Sequence, residues 1–460
     1  MSPWPKYPPV LREMQDLRNE GVVRLLFQAL VVGGGSGAVI GCFRAWYTYT
    51  NAKVVGLLQG SDLYSLPGVL AVFGALLALA LVVGQMVRKI PLISGSGIPQ
   101  VELALSGRLP MPWLRILIGK FIGTWLSLTG GLSVGREGPC IQMGAAVGCG
   151  FGHLWRSTPH NAPRYLIAGS VAGLTAAFGA PVAGMLFAFE EIKSIVSAPL
   201  LLFTSAAAAA AWFVVDQLFG FGLVFPFAAL VPLRWGQIWL AVPLGITLGC
   251  FGALYNALLM SATRRYDRQT LLPAPLKQLL PFFLSGVLLY CYPHVLVGVG
   301  ISTTALESNA LPLAALALLL LIKIAFSIVS FASGVPGGLL MPMLGIGSLI
   351  GACLGSLAVS LELLDAAQLA GVLVLCMGGL FASTVRAPLT GAALVVEMSG
   401  ALHSVPELLI VVVLATLTAN RMGSFPIYDS LKRRIMKTKA RHHPRHTHML
   451  RRNFPVRLCK

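Results

Sequence analysis

Gly135-Arg136-Glu137-Gly138-Pro139 stands inside an apolar region and is followed by a largely apolar run from Ile141 to Phe151. That order predicts a helix start. Proline suits the first helical turn, where its missing N–H costs no bond. The glycines let the backbone turn tightly and leave N–H groups uncovered. Bare N–H groups at the positive end of a helix attract anions. Glu137 falls at that same end, so the stretch pairs an anion site with a carboxylate able to occupy it. In a soluble protein the same five residues would read as a capped helix start with a solvated ion pair. The surroundings decide between the two readings.

The chain has 460 residues, 56% of them hydrophobic and only 11% charged, with a mean hydropathy of +0.79. No soluble core needs that much apolar sequence, which predicts an all-α polytopic membrane protein with one large membrane domain. The net charge is +18, with Lys6, Arg12, Arg18 and Arg24 near one end and eleven Lys or Arg from Lys432 to Lys460 at the other. Positive charge on both flanks predicts that both termini face the cytoplasm. The basic ends suit anionic lipid headgroups of the bilayer better than nucleic acid. The first apolar run shows no small-residue cleavage site, so no removable signal peptide is expected.

The eight cysteines are scattered singly, without paired spacing. They read as small core residues rather than a disulfide or metal framework. His442, His443, His446 and His448 sit among arginines without acidic or cysteine partners. They read as part of a disordered basic tail, and neither a metal nor a cofactor is expected. HExxH, GxSxG and clustered His/Asp are missing from the apolar part, which argues against an enzyme.

Apolar runs fall at 22–48, 67–87, 111–130, 139–155, 165–192, 198–220, 236–262, 276–293, 311–333, 337–361, 367–384, 387–400 and 405–420. Many are shorter than the roughly 20 residues a straight span needs. With 50 glycines and 29 prolines, they suggest tilted, broken and re-entrant helices. Such pieces survive in a bilayer only where their backbone is buried or lines a polar cavity. The chain also repeats itself. Ala180-Pro181-Val182-Ala183-Gly184 with Glu190 matches Ala387-Pro388-Leu389-Thr390-Gly391 with Glu397. Pro139, Gly144, Gly148 and Lys120 match Pro342, Gly347, Gly351 and Lys323. The order predicts two homologous halves, 21–220 and 235–430, between an N-terminal arm 1–20 and a basic tail 431–460. In transporters with inverted repeats, broken half-helices aim their N-termini at a midplane site.

Two further glycine-rich stretches precede apolar runs: Gly95-Ser96-Gly97-Ile98-Pro99 and Gly334-Val335-Pro336-Gly337-Gly338-Leu339-Leu340-Met341-Pro342. With the first, they can present backbone N–H groups and one hydroxyl to a partly dehydrated anion. Partial charges hold an ion loosely enough to release it, where a full cationic side chain would trap it.

These residues resemble the CLC family of chloride channels and chloride/proton antiporters. The stretches at 95 and 135 match its GSGIP and GREGP motifs in full, while the third departs from GxFxP at Leu340. The resemblance spans residues 20 to 430 and looks like bacterial members without cytoplasmic regulatory domains. It implies two inverted-topology repeats and a homodimer with one pathway per subunit. It implies that Ser96 contacts chloride, since serine there goes with chloride preference and proline with nitrate. The backbone of Leu339 and Leu340 would complete the site, Glu137 would be the external gate and proton-transfer group, and Gly95, Gly97, Arg136 and Gly138 would support them. Leu340 leaves the shape of the outer path open.

Tyr428 looks like the family's inner tyrosine, or else is an interfacial-belt tyrosine. Glu191 aligns with the antiporters' internal proton-transfer glutamate, or else forms with Glu190 a helix-end pair beside Lys193. Glu190 matches Glu397 across the repeat, whereas Met398 stands where Glu191 would recur. Lys120 is either the family's buried lysine near the pathway or a structural residue. The leading expectation is a secondary active transporter exchanging chloride for protons. The alternative is a passive voltage- or pH-gated chloride channel of the same fold. Ser96 and the intact motif at 135 argue against a fluoride transporter.

Overall fold

The computed structural model describes residues 21–58, 61–158, 161–192, 197–220, 222–227, 230–269, 273–291, 306 and 311–442. The N-terminal arm 1–20, Lys193 and the histidines at 443, 446 and 448 lie outside the described residues. Sixteen α-helices form among those described, and no strand does.

The first eight are α1 (Val22–Leu58), α2 (Leu66–Lys89), α3 (Ile98–Leu105), α4 (Trp113–Thr129), α5 (Glu137–Leu154), α6 (Ala162–Phe178), α7 (Pro181–Glu190) and α8 (Ala198–Phe219). The other eight are α9 (Ala241–Arg268), α10 (Leu279–Cys291), α11 (Leu313–Ala332), α12 (Leu340–Ser360), α13 (Leu369–Val385), α14 (Pro388–Ser399), α15 (Val405–Arg421) and α16 (Ile427–His442). Among the described residues, eight helices are long and apolar enough to cross a bilayer, and the chain is a multi-pass membrane protein.

The apolar run 165–192 holds a break of the kind its glycines and prolines suggest. Gly179 takes a left-handed conformation at φ 71 and ends α6, and Pro181 then opens α7. The basic tail is helical at its start: α16 continues through Lys432 to His442 instead of ending near residue 430. Among the cysteines, Cys42, Cys140, Cys250, Cys291, Cys353 and Cys376 are free thiols. Cys149 is disulfide-bonded and departs from that pattern.

The halves pack alike. α5 lies on α6 as α12 lies on α13, and α1 on α8 as α9 on α15. Gly144 of α5 touches the backbone of Gly169 in α6, and its equivalent Gly347 touches Cys376 and Met377 in α13. Small residues let membrane helices approach this closely, where van der Waals contact rather than the hydrophobic effect holds them together.

The matched helices α7 and α14 meet in opposite senses. Glu190, at the end of α7, accepts from the N–H groups of Leu389 (3.1 Å) and Thr390 (2.7 Å) at the start of α14. Glu397, near the end of α14, accepts from Val182 (3.0 Å) and Ala183 (2.8 Å) at the start of α7. Each carboxylate fills the orphan donors of the other helix and faces its positive end. Equivalent segments running antiparallel are what an inverted repeat requires.

Candidate anion cradle at the meeting of helix starts

Four helices begin near one point. Gly95 N–H donates to Val335 O, and Gly337 N–H donates to Gly95 O, both at 3.1 Å. Gly135 and Gly338 exchange bonds in both directions, at 2.7 and 2.6 Å. These links draw together the starts of α3, α5 and α12. No Cβ can be added at Gly138 without meeting Ser96 Oγ, nor at Gly97 without meeting Gln142. Glycine is required at 138 because its backbone lies against Ser96, and at 97 because its φ of 96 is left-handed and the Gln142 side chain fills the space.

Glu137 is fully buried as the first residue of α5. Its Oε2 accepts from the N–H of Met341 in α12 at 3.4 Å, and the N–H groups of Arg136 and Glu137 itself also reach the carboxylate. Oε1 has no partner within the chain. Arg136 is the nearby charge of opposite sign. The carboxylate thus lies across two helix starts, where an anion would lie.

Ser96 and Tyr428 are 2% and 1% exposed. Tyr428 is in the first turn of α16, so a fourth helix start enters the cradle. The two side chains interact, yet neither hydroxyl makes a hydrogen bond within the chain. Buried hydroxyls are normally bonded. Two O–H donors facing one point, without a protein acceptor, suit an anion between them. Tyr428 also interacts electrostatically with Glu137 and with Glu191. Leu339 and Leu340 are buried and open α12, where the first N–H groups have no helical partner.

The remaining expected residues divide. Lys120 is fully buried, and its ammonium donates to Ile93 O (2.8 Å) and Gly95 O (2.5 Å). It holds the loop that carries Ser96. Glu191, 5% exposed, follows α7 on the Tyr428 side. Glu190 points away to cap α14 and does not join the cradle.

Three residues were not singled out in the sequence. Arg44 of α1 is buried, donates to Ala176 O at 2.8 Å, and interacts with Arg136. Its signal was a lone arginine in a long apolar run, a costly placement that marks function by default. Glu102 and Lys432 bridge α3 and α16 across 330 positions, and no sequence signal announces them.

Among the described residues, no group of three His, Cys, Asp or Glu could hold a metal. The geometry is that of a multi-pass ion-transport protein with a candidate anion site made of helix starts and a carboxylate lying in it. Residues 79–420 match the family model described as voltage gated chloride channel. The chain belongs to that family.

A Klebsiella pneumoniae protein named H(+)/Cl(-) exchange transporter ClcA is 34% identical over 92% of this chain and 91% of its own. A Vibrio cholerae protein of the same name is 33% identical over 90% of each. A crystal structure titled a slow cyanobacterial Cl−/H+ antiporter superposes with a TM-score of 0.80 at 28% identity, covering 90% of this chain and 98% of that one. A CLC-type fluoride/proton antiporter shares the fold at a TM-score of 0.72 and 22% identity.

Proposed function

We propose that this protein exchanges chloride for protons across the bacterial inner membrane, and that Glu137 serves both ions in turn. The observation that carries this is the Glu137 carboxylate on the Met341 N–H. Ionised, it competes with chloride for the helix starts. Protonated, it loses that attraction, leaves, and admits the anion. Chloride passes by Ser96 and Tyr428, with the N–H groups of Leu339 and Leu340 behind it. Gly95, Gly97, Arg136, Gly138 and Lys120 hold the frame. Protons enter through Glu191 and leave through Glu137, so the two routes share only the outer part.

Relatives named H(+)/Cl(-) exchange transporter over nine-tenths of their length support the substrates. The basic flanks favour cytoplasmic termini, so Tyr428 and Glu191 take the inner side. The family resemblance favours a homodimer with a complete pathway in each subunit. Purified protein in liposomes under a chloride gradient should drive protons uphill. A reversal potential that follows chloride alone would leave a passive channel in place of the exchanger.

A further inference from the structure

Ser96 and Tyr428 interact, but neither hydroxyl has a partner at ordinary hydrogen-bond distance within the chain. Their separation is set by α3 and α16, the helices behind them. α3 spans only eight residues. It packs against α16, and the two are tied by charge. Lys432 lies four residues after Tyr428, hence on the same face of α16. Its ammonium donates to Glu102 Oε2 of α3 at 2.5 Å and to Asp429 Oδ1 of its own helix at 2.8 Å. Glu102 is 5% exposed, against 24% for Lys432 and 21% for Asp429. The contact is therefore screened much less than a surface pair.

Farther along α16, Arg434 grips Asp267 of α9 through two bonds, at 2.7 and 2.6 Å. α16 is fixed to α9 by one pair and to α3 by the other. Only the second spans the helices that carry the two hydroxyls.

We propose that Lys432 and Glu102 are positioning residues that set the width of the inner mouth between Ser96 and Tyr428. An anion leaving inward must part these hydroxyls, and the ion pair one turn away resists that parting. Without it α3 and α16 splay more readily, and chloride crosses the inner mouth on cycles in which no proton moves. The clamp therefore sets the number of chlorides carried per proton. This rests on the exchanger reading above.

The test uses the full chain in liposomes, with chloride efflux and proton uptake followed in the same vesicles. Lys432→Met should raise chloride per proton about fivefold, the low end of coupling between sites. Lys432→Arg keeps the charge and should return the ratio toward the wild-type value. Glu102→Gln should raise it like Lys432→Met, and the double variant should go no further, because each variant breaks the same bond between α3 and α16. A purely structural role would lower both fluxes together and leave their ratio alone. A wild-type ratio in Lys432→Met, or equal uncoupling by Lys432→Arg, overturns the proposal. If Lys432→Met does not fold, Glu102→Gln carries the same test, and a wild-type ratio there overturns it as well. A wild-type protein that moves no protons removes the exchanger reading instead. The clamp is then judged by chloride flux, which Lys432→Met must raise for the proposal to stand.

Discussion

Gly135 and Gly338 exchange both of their backbone hydrogen bonds, N–H to O at 2.7 Å one way and 2.6 Å the other. They stand 203 positions apart, the offset at which Pro139 matches Pro342 and Lys120 matches Lys323. Equivalent residues of the two halves therefore meet each other in an antiparallel pair, as on a local two-fold axis. The helix starts following them, at Glu137 and Leu340, are equivalent too. One half contributes a carboxylate to the shared point and the other an apolar side chain. In the proposed exchange this asymmetry makes one side the gate and the other its seat.

That pair gives a steric test. A methyl group at 135 would meet Glu137 Oε2 and stand 3.2 Å from Met341 N. Gly135 has no positive φ, so Gly135→Ala acts through bulk alone. We expect the carboxylate to lose its bond to Met341. A bond to a charged group is worth about 1.5–3 kcal/mol, so occupancy of the seat should fall about tenfold or more. Paired chloride and proton fluxes should show more chloride per proton, with the protein still folded. An unchanged ratio would mean that the carboxylate does not need this seat.

Glu137→Gln removes the titrating proton but keeps the shape. Proton movement should stop while chloride still crosses. Glu191→Gln should likewise stop protons and spare chloride, because in the proposed exchange Glu191 lies on the proton route and not on the chloride route. Proton uptake in liposomes separates the outcomes, and persistent proton transport in Glu191→Gln would remove Glu191 from the route.

Much of this site was legible because the helix starts are local. Glycine and proline around 95, 135 and 338 mark where helices begin, and a lone carboxylate among them is conspicuous in apolar sequence. Their convergence was not legible from residue chemistry, since it depends on backbone bonds such as Gly95 to Val335. The break at Gly179 could not be located, because the apolar run continues across it and only the left-handed backbone ends the helix. The helical start of the tail was missed because its basic composition hides the partners of Lys432 and Arg434, which lie far away in sequence. The Glu190–Glu397 match was visible, but its meaning as a reciprocal cap needed the antiparallel meeting of α7 and α14.

Those caps make a stability prediction. Glu190→Ala leaves the N–H groups of Leu389 and Thr390, and the Thr390 hydroxyl, without their acceptor. It should cost about 1–3 kcal/mol. Glu397→Ala should cost a similar amount through Val182 and Ala183. Both caps close one helix contact, so the double variant should lose less than the sum by about 0.5 kcal/mol or more. Thermal unfolding in detergent measures the cycle, and strict additivity would show that the caps act independently.

Lys432 makes a prediction about pH. It lies outside the membrane-spanning helices, and burial lowers its pKa. Hydrogen bonds to Asp429 and Glu102 outweigh burial and hold it above the ordinary lysine value. A folded-state value above the unfolded one gives stability that is fully present below the unfolded lysine pKa of about 10.4. It is lost as pH rises through the folded value, when Lys432 gives up its charge and its bond to the buried Glu102 weakens. Arginine at 432 stays charged through that range. Wild type and Lys432→Arg should therefore run parallel in thermal unfolding up to about pH 9, with wild type falling away above about pH 10.4. Lines that stay parallel through strong alkali would show that the ammonium contributes nothing to folding, and a gap opening near neutral pH would point to a different titrating group.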